Sequence, residues 1–256
     1  MSQTNKIFIS ILNRIRTNNQ TEDDLNYLNQ NCIRNAPNDP TFPYLFFWNR
    51  DVALYKNKML SVVRGDEIVI DAIDYEEENH GNIPSHAHIA TLPSQIVLKF
   101  NMLVKIYAGS YDSQDGLVNG ADGIIKAYVK LDNFDVIWIK FYDECIGCRQ
   151  AHRFSFLYSQ QICKYWTPIL RTTKPVSVLE KIGKLKIRKQ FPIQLACART
   201  IHRLQGLTLD NLAFDPLRIH HHGLVYAALS CVRNIESLYL LSPLKNENFQ
   251  IKHNFS

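Results

Sequence analysis

Apolar residues recur at Phe8, Ile11, Leu12 and Ile15, at offsets of 3, 4 and 7 that put them on one face of a helix. Thr21-Glu-Asp-Asp24 then reads as a helix start, with Thr21 as the cap and acids in the first turn. Leu25, Leu28 and Cys32 give that second helix one apolar face. Tyr44 to Trp48 is a continuous apolar run, the pattern of a short strand covered on both faces. The polar triplet Asn49-Arg50-Asp51 follows, and Val52, Tyr55 and Met59 share a helix face beyond it. The segment is a strand–turn–helix unit in which Asn49 or Asp51 serves equally well as a simple cap.

Ile68 to Ile73 reads as a strand, Glu76 to Gly81 as a solvated loop, and Ile96 to Ile106 again as strand. Asn119-Gly120 marks a turn, and Ile124–Leu131 and Val136–Phe141 read as paired strands. From Asp112 to about Lys189 the chain consists of short β segments with basic spacers, including Lys181, Lys184, Lys186, Arg188 and Lys189. That change of texture predicts a small β domain inserted into an α/β layer. Ile193 to Ala198 is another apolar, strand-like run. It turns polar at Arg199-Thr200 and continues as Ile201-His-Arg-Leu-Gln-Gly206. A plain core has no use for so dense a polar cluster, whereas ligands of open α/β sheets sit beyond the carboxyl ends of strands. Leu207–Asp215 reads as a strand, His220–Gly223 as a polar loop, Leu224–Ser230 as a helix carrying Tyr226, and Ser237–Leu241 as a last strand before a polar, fraying tail from Lys245.

Composition narrows the class without naming it. The chain has 256 residues, 46% apolar and 21% charged, and a net charge of +5 that permits nucleic acid as a partner. Its apolar runs are too short to span a bilayer, and no small-residue cleavage site follows Ile7–Leu12, so no membrane partner and a nuclear or cytoplasmic location are expected. The six cysteines form no disulfide framework. Cys145-Ile-Gly-Cys148, with His152 and Cys163 nearby, lacks the second pair that zinc requires, and the adjacent His220, His221 and His222 point away from a common centre, so no metal site is expected.

Thr200-Ile-His-Arg-Leu-Gln-Gly-Leu-Thr-Leu-Asp210 resembles motif V of the PIF-type (petite integration frequency) superfamily-one DNA helicases, a group that includes the helicase part of Helitron transposons. The usual form is T-I-H-K-x-Q-G-x-T-L-D, with Arg203 here in place of Lys. Tyr226-Ala-Ala-Leu-Ser-Cys-Val-Arg233 resembles motif VI, usually Y-V-A-L-S-R-V, and Gly223 also matches. Leu117-Val-Asn-Gly-Ala-Asp-Gly123 is similar to the L-x-N-G-x-x-G hairpin opening the family's inserted β-barrel, and Phe47–Met59 to its motif IV region.

The resemblance implies an ATP-driven motor of two RecA-like domains that grips single-stranded DNA and moves 5′ to 3′, with roles in unwinding, repair, recombination and telomere maintenance. No G-x-x-x-x-G-K-[ST] phosphate loop occurs in the sequence, so the likeness covers the second motor half. It implies an α/β fold: residues 1–111 as the first part of a RecA-like domain with N-terminal helices, 112–189 as the inserted small β-barrel, and 190–256 as the remainder with motifs V and VI. ATP and Mg2+ are implied as cofactors, with most of their ligands on a first RecA-like domain in a longer chain or in trans, and hydrolysis by this chain alone is not expected.

In that frame Thr200 and His202 face DNA phosphates, unless Thr200 only caps a helix and His202 is merely a surface residue. Arg203 projects from another side and pairs with phosphate or a carboxylate. Gln205 and Gly206 form the end that couples to nucleotide, Gly206 also suiting a helix C-cap. Arg50 is a candidate phosphate contact or an ordinary surface arginine. Tyr226 packs on nucleotide or in the core. The basic insert lines a nucleic-acid groove or is a solvated face. Cys231 occupies the place of the motif VI arginine finger, which a thiol cannot replace. Arg233 lies about 200° around a helix from it and substitutes only where the helix end unwinds. The alternative to a split motor is a catalytically inactive, nucleic-acid-binding remnant of a mobile element.

Overall fold

The computed structural model describes residues 3–78, 92–107, 109, 111–179, 184–203 and 208–250. In chain order the first elements are α1 (Gln3–Arg16), α2 (Glu22–Cys32), β1 (Tyr44–Phe46), α3 (Asn49–Val62), β2 (Ile68–Asp71), β3 (Ile73–Glu78), β4 (Gln95–Leu98), β5 (Leu103–Ile106), β6 (Asp122–Lys130) and β7 (Asp135–Phe141). They continue as α4 (Cys148–Arg153), β8 (Thr167–Leu170), β9 (Thr172–Leu179), β10 (Lys184–Gln190), β11 (Ile193–Leu195), β12 (Ala198–Thr200), β13 (Leu212–Phe214), α5 (His222–Leu229) and β14 (Leu238–Leu240). Two compact units result, one of Met1–Met59 with Cys197–Ser256 and the other of Leu60–Ala196.

The first unit is α/β. Its four strands run in the order β12-β1-β13-β14, and every neighbouring pair is parallel. A parallel sheet needs cover, and α1, α2 and α5 supply it. Phe8, Ile11 and Ile15 of α1 are buried as their spacing predicts, and Leu25, Leu28 and Cys32 of α2 join them in one cluster with Leu45, Phe214, Val225 and Leu240. Thr21 caps α2 by a reciprocal box. Its hydroxyl accepts from the Asp24 N–H at 3.2 Å, and the Asp24 carboxylate accepts from the Thr21 N–H at 3.0 Å. Arg14 grips the same carboxylate through Nε at 2.7 Å, and this hydrogen bond, against the cost of burial, holds Asp24 below the usual carboxylate range.

Several expectations change here. The strand in Tyr44–Trp48 stops at Phe46, because α3 begins at Asn49 and takes Asn49-Arg50-Asp51 as its first turn. Val52 and Met59 are buried along α3 as expected. The helix near the end starts at His222, not Leu224, with His221 as its cap: the imidazole accepts from the Gly223 N–H at 3.1 Å. The tail from Lys245 does not fray at once, since Asn246–Phe249 forms a 3-10 turn that buries Asn248 and Phe249. The Asn248 amide donates to Pro216 O at 2.8 Å and Ile219 O at 2.9 Å, fixing the loop ahead of α5.

The second unit is β-rich. A five-stranded antiparallel sheet runs β11-β5-β6-β7-β8, beside a three-stranded sheet β3-β10-β9 and the pair β2-β4. The β6–β7 pairing is the one read from sequence, but β7 is buried on both sides, with Val136, Ile137, Trp138 and Ile139 at 1% exposure or less. Glu76–Glu78, expected as loop, lie in β3. They sit opposite Lys184–Lys186 of β10, where Glu76 pairs with Lys184 at 3.1 Å and Asp74 with Arg188 at 2.7 Å. Part of the basic insert is therefore matched by carboxylates of its own sheet. His80 and Gly81 lie outside the described residues. The apolar run Ile193–Ala198 also divides: β11 pairs with β5, and β12 with β1. Because β5 pairs with both β6 and β11, the expected boundaries at 111/112 and 189/190 fall inside the second unit, whose limits are residues 60 and 196.

The Cys145–Cys148 segment is a tight turn. Gly147 has φ +82, and a Cβ there would lie 2.3 Å from Thr167 Cγ2. Gly147→Ala is therefore expected to destabilise this unit by about 1–3 kcal/mol, read from the midpoint of chemical denaturation.

Candidate nucleic-acid interface

The carboxyl ends of β1 and β12 lie side by side, with Phe46 in register with Thr200. Beyond Thr200 the chain makes a 3-10 turn, Ile201–Arg203. Ile201 drops into the core at 1% exposure, which leaves His202 exposed on the outside. Thr200 itself is 7% exposed, so of the two expected DNA-facing side chains His202 is the one presented to solvent. Arg203 lies on the same turn. Its side chain, and all of Gln205 and Gly206, lie outside the described residues.

Beyond β1, Phe47 and Trp48 meet this turn. The His202 ring sits 5.4 Å from Phe47, and Trp48 stands edge-on to Phe47 at 4.7 Å. Trp48 is 51% exposed, although its place in an apolar run pointed to a buried strand. The result is an aromatic row, Trp48–Phe47–His202, flanked by the exposed Arg50. That guanidinium stays 3.9 Å from Asp51, too far for a hydrogen bond, and so remains available to an anion. An imidazole beside exposed aromatic rings suits a phosphodiester strand with unpaired bases. The aromatic part of this row went unrecognised in the sequence; the signal was a Trp directly before a polar, helix-opening triplet.

The motif VI region behaves differently. Tyr226 is half-buried on α5 and packs against the core cluster. The helix ends at Leu229, so Cys231 and Arg233 are not on it and the 200° relation expected between them does not apply. Cys231 is 3% exposed, and its thiol donates to Ala227 O at 2.9 Å. Burial pushes that thiol up to about 11, while the nearby Arg199 guanidinium works against the rise. Arg199 itself is 2% exposed, a buried cation that sequence reading placed at the start of a polar turn. Arg233 is exposed beyond Val232, which forms a bridge to Leu209.

The described residues do not make up an ATP–magnesium site. Position 231 offers a thiol that donates to Ala227 O of α5, where a phosphate needs a cation. No group of three His, Cys, Asp or Glu among the described residues is placed to hold a metal ion. Arg50 and Arg233 are exposed cations on separate elements. None of the helices among the described residues is long and apolar enough to cross a membrane.

No family model matches the chain. It is 28% identical over 240 residues to the ATP-dependent DNA helicase PIF1 of Rattus norvegicus, covering 93% of this chain and 33% of that protein. Among solved structures, the Pif1 helicase from Candida albicans aligns over 97% of this chain and 55% of its own, with a TM-score of 0.67 at 19% identity. Bacteroides Pif1 bound to ssDNA aligns over 97% of this chain and 51% of its own, with a TM-score of 0.65 at 21% identity. The chain thus spans about a third of the length of the curated relatives it first matches and about half that of the solved chains. Over nearly its whole length it is similar to the Pif1-type ATP-dependent DNA helicases, and it shares their RecA-like α/β fold.

Proposed function

We propose that this chain is the C-terminal portion of an ATP-dependent DNA helicase that moves 5′ to 3′, acting inside the cell, in nucleus or cytoplasm, in DNA unwinding, repair and recombination. Its α/β unit is the second RecA-like motor domain, and the five-stranded sheet of the other unit is the inserted small β-barrel. Of the expected pair Thr200 and His202, His202 presents its side chain to the DNA and Thr200 sits at the strand end next to it, with Arg203 on the same turn. Gln205, Gly206, Arg50 and Arg233 face the nucleotide side, with Tyr226 near it. ATP and Mg2+ are held mainly by a first RecA-like domain, in a longer chain or in trans. The observation that carries this reading is the convergence of His202, Phe47 and Trp48 at the carboxyl ends of β1 and β12.

The test is DNA-stimulated phosphate release by the chain alone and with a first motor domain added. Release only in the mixture is expected, and robust release by the chain alone would overturn the split motor. Cys231 favours a second reading, a nucleic-acid-binding remnant without catalysis. It predicts salt-sensitive strand binding and no phosphate release in any mixture. In either case His202→Ala should weaken binding of a short single strand about five- to tenfold, the worth of one charge-adjacent hydrogen bond, with unchanged thermal stability. Fluorescence anisotropy at fixed salt reads this directly, and an unchanged affinity would remove His202 from the interface.

A further inference from the structure

The β-rich unit holds a cleft of about 450 Å3 between the Cys145–Cys148 turn and the segment that leads into β8. Two thiols line it, Cys148 and Cys163, both exposed. Firm contacts bring their segments together. Thr167 Oγ1 donates to Ile146 O at 3.4 Å, Gly147 packs directly on Thr167, and the Trp166 N–H donates to Cys163 O at 3.0 Å. Tyr158 Oη donates to Trp166 O at 2.6 Å. Burial pushes that phenol up to about 12, and the Cys163 and Cys148 sulfurs add to the rise, so both lie near one ring. Cys145, the remaining exposed thiol, is outside the lining, and the Asp143 carboxylate pushes it up. The rim carries charges of both signs: the ammonium groups of Lys140 and Lys164, and the carboxylates of Asp143 and Glu144. Phe141, Tyr165 and Trp166 supply apolar surface between them.

We propose that this cleft is a thiol–disulfide exchange site for a small peptide disulfide bearing both carboxylate and ammonium groups, with Cys163 as the attacking sulfur. The proposal does not depend on how the chain grips DNA. A ligand of one charge sign meets like charges on this rim, whereas a zwitterionic peptide finds an opposite charge for each of its ends. Volumes of this order suit a ligand of that size. Of the two thiols, Cys148 Sγ is engaged as a donor to Glu144 O at 3.2 Å. Cys163 adjoins Lys164, whose ammonium draws a ligand carboxylate toward that sulfur. In the reaction the Cys163 thiol gives its proton to solvent and its sulfur attacks one sulfur of the ligand. The ligand S–S bond breaks as the mixed disulfide forms, and the departing half leaves as a thiolate that takes up a proton. Cys163 is oxidised and the departing half is reduced, so the ligand is itself the oxidant.

The test uses the full chain with oxidised glutathione as the zwitterionic probe and hydroxyethyl disulfide as the uncharged one. Mass spectrometry of digests locates the first adduct and gives the rate at Cys163 with each probe. The ratio of the two rates measures recognition apart from thiol reactivity. The first adduct is expected on Cys163. Lys140→Gln and Lys164→Gln should each lower the ratio about two- to threefold, the worth of one exposed ion pair. Glu144→Gln should lower it by a similar factor. All three side chains are exposed, so the substitutions leave the fold intact. A ratio raised by Glu144→Gln would mean simple attraction of a net-negative probe and would overturn the zwitterion site. A ratio unmoved by all three substitutions would overturn recognition by the cleft, and a first adduct on Cys145 or Cys148 would overturn Cys163 as the attacking sulfur.

Discussion

Asp135→Ala is expected to destabilise the Leu60–Ala196 unit by about 3 kcal/mol, among the largest single losses available in it. Asp135 and Arg171 face each other with both side chains at 11% exposure. The pair is bidentate, Nε to Oδ1 and Nη2 to Oδ2, each at 2.7 Å, and Tyr128 Oη adds a donor at 2.9 Å. Removing the carboxylate leaves a largely buried guanidinium and a half-buried phenol short of their acceptor. The loss stays near the low end of the range for broken buried pairs because Arg171 keeps its bond to Asp71 O at 2.7 Å and the face of Phe191 at 5.1 Å. Burial alone pushes the Asp135 carboxyl up, but the hydrogen bonds from Arg171 and Tyr128 outweigh it and hold the group below the ordinary range. The sign of the pH effect follows. A carboxyl depressed on folding contributes stability above its unfolded value, about 4, and loses that contribution as pH falls through the folded value. Asp74 adds to this window, held at about 2 chiefly by the Arg188 hydrogen bond. The gap between the unmodified chain and Asp135→Ala should therefore narrow on acidification from pH 7 to 3. Denaturation followed by the fluorescence of Trp138 and Trp166, in a Trp48→Phe background, reads this unit alone. A gap that is constant with pH would show that the carboxylate charge is not what stabilises the sheet.

Local physics made some of this fold legible and hid the rest. The α1 face could be read because its 3, 4, 7 spacing is written within one segment, and the Thr21 cap because both partners of its box lie three residues apart. The Glu76–Glu78 strand could not, because what makes it a strand is pairing with Lys184–Lys186, 108 residues on for the Glu76–Lys184 pair. Read alone, three acids look like solvated loop. Likewise Ile193–Ala198 carries no mark of its division between two sheets, since an apolar run suits either partner. Within the site, the motif V likeness singled out Thr200 and His202, which lie at the end of β12 and on the turn beyond it. It could not tell that Ile201 turns inward and leaves His202 exposed, nor that Trp48 is the outer end of an aromatic row. Arg199 is the clearest limit. A charged residue opening a polar stretch reads as surface, yet its strand register beside Leu45 carries it into the sheet interior.

That buried arginine decides what restoring the missing finger should do. Cys231→Arg, made to match the helicase motif, is expected to cost about 3 kcal/mol or more and to yield no phosphate release even with a first motor domain present. Cys231 is 3% exposed within the cluster that includes Leu45, Ile201 and Val232, so a longer side chain overpacks it, at about 1–3 kcal/mol. The new guanidinium would also share that region with Arg199, whose charge already acts on the Cys231 thiol. Two like charges at low exposure, one without a designed acceptor, add a further penalty of comparable size. The two substitutions should then be coupled. Arg199→Leu combined with Cys231→Arg should recover at least about 1 kcal/mol relative to the sum of the single changes, because the like-charge contact is gone. Thermal and chemical denaturation of the four members of this cycle measure the coupling. Additive effects would mean that an arginine at 231 reaches solvent past the end of α5. In that case the finger position is open in this fold, Cys231 alone separates the chain from an active jaw, and the case for a non-catalytic remnant loses its structural support.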